Sequence, residues 1–168
     1  MRVSIIGAGA MALAAASYLK LKDVSSLVYV RSEKKLAAWS TKPVRVTGVM
    51  ESSFYVPMAK TMKEAVNYSD TVIICTRAGD YEDVINELLP CLRKGQCILF
   101  LNGCWGAVKT YRLLKEDVKY LTIAETAGSP FVASLSEDFL TLEMKGIRTE
   151  IGYSALGTSK DPGELLHT

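Results

Sequence analysis

Apolar residues follow two alternating rhythms along this chain. Short aliphatic and β-branched runs predict buried strands at Arg2 to Ile6, Leu27 to Val30, "TVIICT" from Thr71, "QCILFLN" from Gln96 and "YLTIAET" from Tyr120. Between them, apolar positions recur at helical spacing. Ala12, Ala15, Ala16 and Leu19 share one helix face, and Val84, Leu88 and Leu92 share another in "DYEDVINELLPCL", where Pro90 disturbs the end. "TMKEAVNYSD" and "GAVKTYRLLK" also read as helices. The first helical face is mostly alanine, so that helix can lie very close to a sheet. Two stretches alternate as hairpins do: "VRVTGVMESSFYV", turning near Gly48 to Glu51, and a final hairpin in "FLTLEMKGIRTEIGYS".

Strands that alternate with helices of about ten residues predict a Rossmann-type α/β fold, a doubly wound, mostly parallel sheet with helices on both faces. We expect one domain over residues 1–155 and a tail over 156–168. No repeat or low-complexity segment interrupts the pattern. The first 17 residues also have the outline of a secretory leader, with Arg2, an apolar middle and small residues at Ala14 to Ala16. Removing them would take away the first strand of the sheet, so the strand reading is preferred.

Composition narrows the function. Of 168 residues, 49% are apolar and 23% charged, and the net charge is +2, too small to indicate nucleic acid or an anionic membrane as partner. No apolar run reaches the roughly 18 residues needed to span a bilayer. Cys75, Cys91, Cys97 and Cys104 show no close pairing, so they read as reduced thiols of a cytoplasmic protein, without a disulfide framework or a zinc site.

The chemistry begins at Gly7-x-Gly9-x-x-Ala12. A first glycine allows a tight bend, a second lets the backbone approach a pyrophosphate, and a small third residue allows close helix–strand packing. The helix that follows would aim its free N–H groups, with Ala10 and Met11 in its first turn, at the phosphates. Strand, glycine turn, helix and second strand together point to dinucleotide binding; the alternative is a tight turn without a ligand. Where an NAD site usually carries an acid at the end of the second strand, this chain has Arg31, Ser32, Glu33, Lys34 and Lys35. A guanidinium pairs bidentately with a 2′-phosphate, so Arg31, Ser32 and Lys34 favour NADP, with NAD second. A solvated basic loop is the plainer reading of the same run.

Two more loops should reach the ligand-binding edge of the sheet. Thr76, Arg77 and Ala78 in "CTRAGDY" would run under the dinucleotide. In "LNGCWG", Asn102 could fix a carboxamide or a substrate carbonyl and Gly103 could let the backbone approach a ring, unless the pair is a plain turn. Cys104 and Trp105 would line that mouth or pack into the core. Glu125, with Thr126 at the end of its strand, is either a ligand contact or a helix cap. The single histidine, His167, is one residue from the end of the chain, a poor place for a catalytic acid.

The glycine turn, "CTRAGDYEDV", "LNGCWGAVKTYRLL" and above all "AETAGSPFVASLSEDF" with "MKGIRTEIGYS" resemble the N-terminal domain of opine dehydrogenases, nearest to the enzymes that make staphylopine-type metallophores. The resemblance extends to about Ser154. It implies NAD(P)H-dependent reduction of the imine formed from an amino acid, or an amino-acid-derived intermediate, and a 2-oxo acid. It also implies a second, helical domain holding the catalytic histidine and its aspartate partner. The chain ends before such a domain would begin, so it is expected to be the cofactor half of an enzyme, truncated or completed by a partner chain, and inactive alone. Ketopantoate reductase is the runner-up: it shares the glycine turn, a basic group for NADP and an Asn-Gly pair like Asn102-Gly103. A stand-alone NADP-binding sensor, or a domain for another nucleotide, are the remaining readings. If a second domain normally covers the sheet edge, Trp105, Phe131 and Leu135 should be left uncovered and favour self-association into a homo-oligomer.

Overall fold

The computed structural model describes residues 1–114 and 119–157. His167, Lys115 and most of the expected tail lie outside them. The chain opens with β1 (Arg2–Ile6), α1 (Ala10–Leu21) and β2 (Ser25–Tyr29), followed by α2 (Glu33–Thr41). A small hairpin, β3 (Val44–Gly48) and β4 (Ser52–Phe54), precedes the two-residue β5 (Met58–Ala59). Three strand–helix units follow: α3 (Met62–Tyr68) into β6 (Thr71–Ile74), α4 (Tyr81–Leu88) into β7 (Cys97–Phe100), and α5 (Gly106–Leu114) into β8 (Thr122–Thr126). The described part closes with β9 (Phe131–Leu135), β10 (Thr141–Ile147) and β11 (Tyr153–Gly157).

Seven strands form the main sheet in the order β11-β8-β7-β6-β1-β2-β5. All its pairings are parallel except that of β11 with β8. The chain winds outward from β1 through β2 to β5, then returns and winds the other way through β6, β7 and β8. This reversal opens a crevice beyond the C-terminal ends of β1 and β6, where ligands bind in such sheets.

Side-chain alternation explains how the sheet is buried on both faces. On β1, Val3 and Ile5 join the core under α1, while Ile6 joins the core shared with α3, α4 and α5. Ser4 faces the same way as Ile6 and is satisfied there by the Ala65 carbonyl at 2.5 Å and the Ser69 hydroxyl at 2.9 Å. The alanine face of α1 is buried, with Ala12 and Ala14 wholly inaccessible. The start of α3 is set by Thr61, whose hydroxyl accepts from the Glu64 N–H at 3.1 Å while the Glu64 carboxylate accepts from the Lys60 N–H at 2.9 Å.

The expected final hairpin does not form. β10 instead pairs antiparallel with β9 and parallel with β3, giving a second sheet in the order β4-β3-β10-β9 that packs on α1, while β11 crosses to the edge of the main sheet. The reason lies in what each strand can bury. Leu142 and Met144 are fully inaccessible between β3 and β9, with Glu143 and Lys145 facing out and 3.3 Å apart. Residues 148–152, which the final-hairpin reading placed inside one continuous hairpin, span the gap between the two sheets. Phe131, expected to lie uncovered, is only 7% accessible and packs on Tyr18 with ring centroids 5.6 Å apart. Leu135 is half-buried against the same core, and only Trp105 of the three is exposed, at 70%.

Candidate nucleotide site

The crevice at the switch point is a cleft of about 360 Å³. Its floor is the β1–α1 turn, Gly7, Ala8 and Gly9. One wall comes from the end of β2 and the start of α2 (Tyr29, Arg31, Ser32 and Lys35), the other from the end of β6 and the turn after it, with Cys75, Thr76, Arg77 and Asp80.

Gly7 has φ +124°, a conformation that side chains rarely adopt, and a Cβ there would stand 3.1 Å from the backbone carbonyl of Cys75. The fold itself requires this glycine. Gly9 differs. Its φ of −98° and ψ of −173° suit any residue, and a Cβ there would meet nothing within 4 Å. No protein atom accounts for a glycine at this point of the cleft. Gly9 also caps α1 without a side-chain hydrogen bond, and the first turn of α1 carries no acid. The N–H groups and partial positive charge at that helix end are thus left for a group outside the chain.

The basic wall is built on α2, the one α-helix among the described residues that the sequence pattern does not announce. Ser32 stands at its N-cap, so Lys34 and Lys35 lie on its first turn a hundred degrees apart around the axis. Helical side chains lean back toward the N-terminus. Lys35 therefore reaches back over the cleft, where its Nζ donates to the Ala8 carbonyl at 2.5 Å and lies 5.2 Å from the centre of the Phe139 ring. Burial holds this ammonium below the ordinary lysine value, and no carboxylate pairs with it among the described residues. Lys34 is exposed and lies outside the cleft lining. Of the two adjacent lysines, the structure places Lys35 in the cleft lining and the expected Lys34 outside it.

On the opposite wall, the Arg77 Nε donates to Asp80 Oδ2 at 3.2 Å across a turn that begins at Ala78. Ala78 is exposed and outside the lining. The Thr76 hydroxyl oxygen is buried with no hydrogen-bond partner. Below, the Tyr29 hydroxyl donates to Glu87 Oε1 at 2.6 Å; burial first, then that bond, pushes its pKa up to about 12. Tyr29, Lys35 and Asp80 are cleft residues that sequence reasoning missed. The spacing of Asp80 three residues from Arg77 was a usable signal for one of them.

The remaining candidates are not in this lining. Ala10 and Met11 form the first turn of α1, where Met11 packs on the core and meets the Ser129 hydroxyl at 3.6 Å. Asn102 and Gly103 sit at the end of β7, in a run of four left-handed residues with Cys104 and Trp105, at φ 74°, 34°, 56° and 66°. The Asn102 N–H donates to Thr126 Oγ1 at 2.9 Å. Cys104 and Trp105 are exposed, which excludes the core-packing reading of both. The Glu125 carboxylate accepts the Ala107 N–H at 3.0 Å, so the helix-capping reading is the one its hydrogen bond shows. Among the described residues no group of three His, Cys, Asp or Glu could hold a metal ion, and no helix is long and apolar enough to cross a membrane.

A doubly wound sheet with a glycine turn at its switch point and a basic second strand end defines a Rossmann domain of the kind that carries NAD(P) in oxidoreductases. Comparison with known proteins gives the family. Residues 3–126 match ketopantoate reductase PanE/ApbA, and the chain belongs to that family. No curated protein sequence matches. Among solved structures, octopine dehydrogenase with NADH and L-arginine superposes with a TM-score of 0.83 at 17% identity, over 99% of this chain and 45% of that one. Yersinopine dehydrogenase with NADP+ gives 0.68 at 18%, over 92% and 40%. The probable 2-dehydropantoate 2-reductase of Bacillus subtilis gives 0.70 at 21%, over 98% and 53%. The chain thus spans about half the length of these proteins. The two families it resembles in sequence share this one fold.

Proposed function

We propose that the chain is the cofactor-holding part of an NADPH-dependent reductase that acts on a 2-oxo acid or on the imine formed from one. The observation that carries this is the cleft itself: a glycine with no protein reason to be glycine, an uncapped helix end, an orphaned Thr76 hydroxyl and an arginine where an acid would select NAD. These residues fit a dinucleotide. Gly9 and the first turn of α1, with Ala10 and Met11, would take the pyrophosphate. Arg31 and Ser32 would take the 2′-phosphate, and Thr76 with Arg77 would hold the middle of the molecule. Asn102 and Gly103 would face the nicotinamide end. When bound, the cofactor supplies the hydride; the protein orients it and keeps water away.

Of the two chemistries, we favour reduction of an imine between an amino acid and a 2-oxo acid, on the resemblance of residues 124–154 to opine dehydrogenases; a metallophore product would be a special case. The second reading is ketopantoate reduction, favoured by the family match over residues 3–126. On the resemblance to opine dehydrogenases, the acid or base would come from a second, helical domain. A stand-alone sensor of the NADP pool would bind equally well and turn nothing over. A cytoplasmic setting accords with four cysteines that form no disulfide, one of them, Cys104, exposed.

Calorimetric titration with NADPH and with NADH, on the wild type and Arg31→Ala, tests the cofactor assignment. Loss of a bidentate charged contact should weaken NADPH by about 1.5–3 kcal/mol and leave NADH unchanged. Equal binding of both nucleotides to the wild type would sink it. Loss of NADPH absorbance with ketopantoate, against paired amino acids and 2-oxo acids, separates the two chemistries once the helical domain is supplied; turnover of neither by the completed enzyme favours the sensor.

A further inference from the structure

We infer that the chain carries a second ligand site, apart from the nucleotide cleft, for a small amphipathic anion with an apolar body and one negatively charged head. The site is a cavity of about 480 Å³ that shares no lining residue with the cleft, and the inference does not depend on the nucleotide reading. Its floor is the α1-facing side of the main sheet, where Ile73 of β6 and Leu99 of β7 both belong to the core under α1. One wall is α1 itself: Ala15, Tyr18, Leu19 and, just past the helix, Lys22 recur at helical spacing and form a single stripe. The other wall is the strap of residues 148–152 between β10 and β11. It is fixed at both ends, the Arg148 N–H donating to the Pro130 carbonyl at 2.9 Å and the Ala127 N–H to the Gly152 carbonyl at 2.7 Å. The cavity is thus a standing feature of the fold, and a ligand would not have to order its walls. Charge at the mouth then selects the ligand. Lys22 and Arg148 are exposed on the two walls, and neither pairs with a carboxylate among the described residues. The Lys22 ammonium lies 5.7 Å from the centre of the Tyr18 ring, which helps to hold it at the mouth. Glu150 is the one acid in the lining, so two cations share one carboxylate and a single negative charge is left for a ligand to supply. An apolar interior of this size with a few polar groups at its edge is the ordinary form of a small-molecule site. Here it fits a monocarboxylate with a hydrocarbon or aromatic body.

The test uses the whole chain and three probes of equal chain length that differ only in the head group: octanoate, octanol and octylamine. Calorimetric titration should show saturable binding of octanoate, weaker binding of octanol and none of octylamine. Lys22→Gln and Arg148→Gln, with their folds checked by thermal melting, should each weaken octanoate about fivefold, as loss of one partly exposed ion pair would, and leave octanol unchanged. Lys63→Gln, at an exposed lysine outside the lining, should bind octanoate like the wild type. Saturating NADPH should leave the octanoate titration as it is. Equal affinity for the three probes, or an octanoate affinity that neither mouth variant moves, overturns the assignment of an anionic ligand. Displacement of octanoate by NADPH puts the probe in the nucleotide cleft and overturns the second site. Absence of octanoate binding overturns it as well, and a chain that then sediments as a dimer would show a second copy closing the cavity instead.

Discussion

Gly9→Ala separates what the fold needs from what the ligand needs. The backbone at Gly9 is already extended, and a new methyl group would have no neighbour within 4 Å. Alanine at such a site stabilises by about 0.4–1 kcal/mol through the unfolded chain, and as an N-cap it loses a similar amount against glycine. The two effects offset, so the melting temperature should move by no more than about 2 °C, given roughly 2–4 °C per kcal/mol for a chain of this size. The same methyl group fills the space through which a pyrophosphate would approach. Affinity for NADPH and for NADH should therefore fall together, by about tenfold or more, since a displaced pyrophosphate loses at least one charge-assisted bond. Gly7→Ala is the contrast. Its φ of +124° and the 3.1 Å approach to Cys75 make it a folding defect, costing about 1–3 kcal/mol and several degrees. The assays are differential scanning calorimetry and nucleotide titration on the same preparations. If Gly9→Ala melts as low as Gly7→Ala, or binds nucleotide as well as the wild type, the assignment of this glycine to a ligand is wrong.

Other consequences are open to simpler measurements. Tyr29→Phe removes the 2.6 Å bond to Glu87 and should cost about 1 kcal/mol in denaturant unfolding. Because the folded-state pKa of Tyr29 is raised from 10.0 to about 12, its contribution is complete below pH 10 and is lost as pH rises through that window; the wild type should lose stability there more steeply than the variant. Glu125→Ala strips the cap from α5 and should lower stability by about 1 kcal/mol; a melt unchanged while nucleotide affinity falls would restore the ligand-contact reading. Timed alkylation should modify exposed Cys104 well before Cys75, whose thiol is buried and pushed far above its ordinary pKa, and mass spectrometry would read the order. With Trp39 1% and Trp105 70% accessible, a polar quencher should remove the fluorescence of one tryptophan and spare the other; protection of both would mean that Trp105 is covered by a second copy.

What the sequence made legible depended on how local the cause was. β1, α1, β6, α4, β7, α5 and β8 each announce themselves by a run or a period confined to their own residues. The β3–β4 hairpin is equally local, with its turn at residues 49–51. Failures begin where partners are far apart. β10 pairs with β3, almost a hundred residues earlier, and no short-range signal distinguishes that pairing from a hairpin with β11. β5 is two residues long and β9 follows a proline with small residues, so neither carries a readable alternation. α2 is mostly charged and polar along its length, and its one buried residue is Trp39, whose indole N–H donates to the Phe139 carbonyl at 2.8 Å. The sequence shows a tryptophan; it does not show that a loop a hundred positions away waits for it.

The same rule divides the site. Gly7, Gly9, Arg31, Ser32, Thr76 and Arg77 belong to turns whose spacing is their signature, and all six line the cleft. Lys34 and Lys35 differ only in which way a helix points them. Once Ser32 is recognised as an N-cap, the direction follows: Lys35 falls three positions in and leans back over the turn, while Lys34 faces solvent. A basic run is therefore not one property shared by its residues. In this chain it resolves into a guanidinium and an ammonium that line the same cleft as the glycine turn and an ammonium that does not. The helix phase, rather than the charge count, decides which of them a bound phosphate would meet.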